Sequence, residues 1–177
     1  MHNRESRPAD QLFSQLYEEL RLMAHHRLRA CEPITLLDTT SLVHESYFRV
    51  VDANQVPDFD RPRFLAYASY AMRSVIVDLV RKRHADRRGG GGVKMDLQEI
   101  QVAHSRARED DILRVNDALD ELAKADTRLA QVVEMRYFAG LEEREIAAAL
   151  GVTDRTVRRD WQKARLLLSV ALQQNNT

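Results

Sequence analysis

Residues 142–168 read EEREIAAALGVTDRTVRRDWQKARLLL, two helical patterns hinged on one glycine. Ile146, Ala147 and Leu150 form the inward stripe of a short first helix, and Gly151 supplies the dihedrals of a tight turn. Thr153 then caps a second helix, whose Val157, Trp161, Ala164 and Leu168 recur at three and four residues. Small Ala147 lets the helices approach, and Ala, Gly and Val at 147, 151 and 157 match the spacing of the DNA-binding helix-turn-helix. Between its inward positions the second helix presents Arg155, Thr156, Arg158, Arg159, Gln162 and Lys163, side chains suited to base edges and phosphates in a major groove. The competing interpretation is a plain helical hairpin with a solvated basic face. Agreement of turn, cap and exposed cations favours DNA.

Upstream, Ile112, Val115, Leu119 and Leu122 form one helical stripe, and Leu129, Val132 and Val133, with Arg136 to Phe138, suggest another. Four glycines at 89–92, between charged stretches, read as a flexible tether and a domain boundary. Charge reverses across it: residues 73–94 hold seven Lys/Arg against two Asp, and residues 95–126 hold four against nine Asp/Glu. The balance of 27 basic and 27 acidic residues over 177 positions therefore conceals two opposed patches. Before the tether, Leu12, Leu16, Leu20, Met23 and Leu28, widened by Phe13 and Tyr17, predict an amphipathic helix over roughly 10–30. A second helix carries Leu42, Val43, Tyr47, Val50 and Val51, capped by Thr40 or Ser41. A third begins near Pro62 and runs through Phe64, Ala68, Met72, Val75 and Leu79 into Arg81, Lys82, Arg83, Arg87 and Arg88. The expectation is an all-α chain of two small helical domains, 9–88 and 109–173, joined by a flexible Gly-rich and acidic linker over 89–108.

Other classes recede. Apolar residues at 44% can build cores, no apolar run approaches a membrane span, and MHNRESRPAD lacks the apolar centre of a signal peptide. With Cys31 the single cysteine, no internal disulfide is possible, and a reducing cytoplasm is the expected compartment. There is no glycine-rich phosphate loop, nucleophile elbow or evident carboxylate pair, so catalysis and a cofactor are not expected. Adjacent His25 and His26 would point about 100° apart on a helix, and no metal site is expected.

Together the halves resemble a known family. The C-terminal half is similar to region 4 of bacterial sigma factors. TTSLVHESYFRVVD (39–52) followed by RPRFLAYASYAMRSVIVDLVRKRHADRR (61–88) resembles region 2 of the extracytoplasmic-function group of the sigma-70 family. LVHESYFRV, the glycine run and RTVRRDWQKARLLL are most similar to a subgroup that often occurs beside protein kinases. The resemblance implies a dissociable subunit that binds core RNA polymerase, at its clamp helices and flap, and directs it to promoter DNA. Arg155, Thr156, Arg158, Arg159 and Lys163 would then read the minus-35 element; whether Arg158 or Arg159 meets guanine or phosphate stays open. Opening of the minus-10 element would use a positive surface including Arg73, Arg81 and Arg83, with Asn54 and Phe59 near an unstacked base, while Phe64 and Tyr67 read as core. Leu42, Val43, Glu45 and Arg49 would dock on the polymerase.

Many relatives carry acidic residues just before that docking helix, where this chain has Thr39, Thr40 and Ser41. A phosphate there would restore negative charge at a helix N-terminus, and the resemblance to the kinase-associated subgroup implies activation by a Ser/Thr kinase, with Thr39 and Thr40 ahead of Ser41; the residues alone fit equally an ordinary helix cap that is never modified. The alternative function is a stand-alone helix-turn-helix transcription regulator that binds duplex DNA unaided.

Overall fold

The computed structural model describes residues 8–31, 37–52, 60–89 and 98–174, and these are almost entirely helical, with no strand among them. Helices α1 (Pro8–Gln15) and α2 (Tyr17–Cys31) share one hydrogen-bond ladder. Leu16 N–H donates to Leu12 O and Leu20 N–H to Leu16 O, both at 2.9 Å, so the helix expected over 10–30 is present with a local break. Its stripe of Leu16, Leu20, Met23, Ala24 and Leu28 is buried.

Helix α3 (Thr39–Asp52) is capped by Asp38 and not, as expected, by Thr40 or Ser41. Asp38 Oδ1 accepts from Ser41 N–H at 2.8 Å, and a carboxylate is the stronger acceptor where the helix dipole is positive. Asp60 does the same for α4 (Arg61–Gly89), accepting from Arg63 N–H at 3.0 Å. Pro62 sits in the first turn of α4, where its missing N–H costs nothing.

The C-terminal half comprises α5 (Gln98–Ala125), α6 (Thr127–Val133), a π-helical turn (Glu134–Phe138), α7 (Glu143–Leu150) and α8 (Asp154–Gln174). Residues 98–108, expected as tether, are the first turns of α5. Further along α5, two carboxylates face the basic end of α4. Asp117 lies 3.6 Å from Arg81, and the fully buried Glu109 carboxylate lies 3.5 Å from Arg83 and 2.9 Å from His84 Nε2. Residues 90–97, with most of the glycine run, lie outside the described residues.

The two halves share a core. Leu20, Val43, Phe64 and Met72 join Val132, Met135, Leu141, Ile146 and Val157 in one buried cluster. A smaller cluster of Leu119, Leu122, Leu129, Val133 and Ala164 holds α5, α6 and α8 together. At the seam the Glu134 carboxylate accepts from Arg73 Nε at 2.6 Å and Ser69 Oγ at 3.2 Å, with Arg27 3.6 Å away. The Arg27, Arg73 and Glu134 side chains are 9%, 11% and 10% exposed, so these charges are desolvated and must satisfy one another. At its rim Arg61 bridges Glu19 and Glu145, and Arg63 Nε donates to Ala149 O at 3.1 Å.

Candidate nucleic-acid interface

Gly151 ends α7 with φ 66° and ψ 35°, left-handed dihedrals that glycine adopts without a Cβ penalty. Val152 N–H closes the turn by donating to Ala147 O at 3.0 Å. Thr153 Oγ1 then accepts from Thr156 N–H at 3.3 Å, the expected cap of α8. Ile146, Ala147, Val157 and Ala164 are buried, with Leu150, Trp161 and Leu168 half-buried around them. Asp160, also inward, accepts from Arg128 Nε at 2.7 Å and ties α8 to α6.

This leaves one polar face of α8 outward. Arg155, Thr156, Arg158, Arg159 and Gln162 line an open cavity of about 370 Å³. Four of the five expected minus-35 residues are thus brought together. Lys163 lies to one side, 3.8 Å from Asp126 at the α5–α6 turn. The Glu143 carboxylate, which sequence reasoning missed, holds the face from α7: Arg158 Nε donates to Oε2 at 2.6 Å and Arg136 Nη1 to Oε1 at 2.8 Å. Those two guanidinium donors, Arg158 first, keep the Glu143 carboxyl below the usual glutamate range. The 15-residue separation of Glu143 from Arg158 matches no single-helix period, so only the hinge geometry itself could have disclosed it.

The expected minus-10 residues fare differently. Asn54 and Phe59 lie outside the described residues. Arg73 is not on an open surface but sealed at the seam, while Arg81 and Arg83 are partly exposed beside the α5 carboxylates. Phe64 is buried core and Tyr67 half-buried, as read; Tyr70 is 48% exposed, with the Arg73 guanidinium 5.1 Å from its ring centroid.

On α3 the expected docking residues lie mostly inward. Leu42 and Val43 are fully buried against the bundle. Arg49 is engaged with Ser74 at 2.6 Å and Asp78 at 2.8 Å. The outward face carries His44, Glu45 and a 59% exposed Phe48, an aromatic missed because apolar periodicity does not say which side a bundle covers. Thr39 is half-exposed, and Thr40 and Ser41 are exposed; Ser41 Oγ donates to Asp38 Oδ2 at 3.2 Å.

Among the described residues no helix is long and apolar enough to cross a membrane, and no group of His, Cys, Asp and Glu could hold a metal ion. The family model described as ECF sigma factor matches residues 2–174. No curated protein and no solved structure matches the chain.

Proposed function

Because the chain belongs to the ECF sigma factor family, alternative sigma factors that bind core RNA polymerase and direct transcription initiation at promoter DNA, we propose a division of labour and a switch within it. The C-terminal unit, 109–173, reads the upstream minus-35 element through α8. The observation that carries this is the cavity of Arg155, Thr156, Arg158, Arg159 and Gln162, a continuous basic face presented by a correctly capped helix-turn-helix. The N-terminal unit, 9–88, docks on the polymerase clamp through the outward face of α3, Glu45 and Phe48, and opens the minus-10 element along α4. Since Arg73 is sealed against Glu134, the second task requires the halves to part, and polymerase binding drives that.

The switch is phosphorylation by a Ser/Thr kinase of the kinase-associated subgroup type. Thr39 and Thr40 stand at the start of α3, where a phosphate gains from the helix dipole and supplies about 1.5 to 2 negative charges for a basic partner. Ser41 is the poorer acceptor site, because its hydroxyl already donates to Asp38 and a phosphate there would face that carboxylate.

The test is run-off transcription with purified core polymerase, comparing the unmodified chain with Thr39→Asp and Thr40→Asp variants. Initiation by either establishes the sigma role; initiation only with aspartate supports the switch, and equal output removes it. A chain that ignores polymerase yet binds duplex DNA alone is the stand-alone regulator.

A further inference from the structure

We infer that Arg158 reads a guanine in the upstream promoter element and that Glu143 is the positioning residue that holds it for the task. This rests on the sigma-factor reading of α8. Arg158 and Arg159 are comparably exposed, at 64% and 72%, so exposure does not distinguish them. Restraint does. Arg158 Nε is held by Glu143 at 2.6 Å across the hinge, whereas Arg159 lies 3.7 Å from its chain neighbour Asp160, which Arg128 already engages.

Glu143 is itself braced. Its second oxygen takes the Arg136 guanidinium, which lies 5.1 Å from the ring centroid of half-buried Trp161, one turn beyond Arg158 on α8. The contacts therefore leave α8 at Arg158 and return to it at Trp161, fixing the arginine relative to its own helix. A guanidinium that spends its Nε on a carboxylate keeps both Nη groups, a planar pair matched to guanine O6 and N7. A phosphate accepts a cation in almost any orientation, so this restraint would be redundant for backbone contact. Glu143, ionised across the physiological range, also repels phosphate from that spot. Ordering the fork beforehand removes a cost that a free arginine would meet on binding.

The experiment uses holoenzyme assembled from core polymerase and the full chain, both unmodified and carrying Thr39→Asp with Thr40→Asp. Each is offered a promoter library randomised across the upstream element, and the transcripts are sequenced. The native side chains should enrich guanine at one position. Arg158→Ala should weaken that preference about tenfold or more while leaving other positions intact, and Arg158→Lys should do the same, since an ammonium lacks the fork. Glu143→Gln should weaken the same position several-fold while the other positions keep their preferences, with only a small fall in the thermal midpoint from the lost ion pairs and partial recovery in Glu143→Asp. A purely structural Glu143 would instead lower output at every position together with the midpoint, and that result overturns the inference. So does Arg158→Ala leaving the preference unchanged, or Glu143→Gln altering a different position, which would make Glu143 a direct reader. If neither background yields transcripts from any library member, the sigma-factor reading itself fails.

Discussion

Arg73 shows how far surroundings can reassign a residue. In the sequence it opens a run of cations fit for a separated DNA strand; in the fold its partners Asn116, Asp120 and Glu134 lie 43, 47 and 61 residues away. No local pattern announces contacts at such distances, which is why its burial was not legible. Truncation to Arg73→Ala leaves Glu134 facing one cation fewer in a desolvated seam, and we expect a loss of about 3–5 kcal/mol, read from urea denaturation. Gly151 is the opposite case, legible from its place between two helical stripes. A Cβ added there meets nothing within 4 Å, so Gly151→Ala should cost only the left-handed backbone penalty, about 1–2 kcal/mol, with Gly151→Asn milder in the same melting assay.

Helices were easier to find than their caps and faces. The stripes of α2, α4 and α8 follow the helical period because each buries one side, but period alone cannot say whether the bundle or a partner covers that side, so it gave no sign that Leu42 and Val43 lie against the bundle. The π-helical turn escaped notice because an extra residue in one turn leaves composition unchanged; Ala139 N–H donates to Glu134 O at 2.8 Å, five residues back. Asp126 caps α6 by accepting from Arg128 and Leu129 N–H, and Asp126→Ala should cost about 1 kcal/mol in denaturant. The cap of α3 makes a pH prediction. Donation from Ser41 N–H holds the Asp38 carboxyl below the usual aspartate range, so the unfolded chain binds the proton more readily. The contribution of this cap is complete above the ordinary aspartate value and is lost as pH falls through the lower folded one. Amide exchange in α3 should quicken over that acid interval relative to the rest of the bundle, and Asp38→Asn should abolish the difference.

For the molecule as a whole, a core cluster drawn from both halves predicts one cooperative unfolding transition, with fluorescence of the single tryptophan, Trp161, coinciding with loss of helical circular dichroism. Two separate transitions would mean that the shared core contributes little. Opposed charge across the glycine run was legible in the sequence; that the acidic stretch is a helix laid against its basic counterpart was not, since carboxylates on a surface helix and in a solvated tether look alike. That pairing changes what salt should do. On the proposed path of promoter DNA along α4, phosphates would have to displace Asp117 and Glu109 from Arg81 and Arg83, and the liberated carboxylates would gather cations while the DNA sheds its own. Ion release is then partly cancelled from within the protein, and affinity for the opened strand should fall less steeply with ionic strength than a count of its arginines implies.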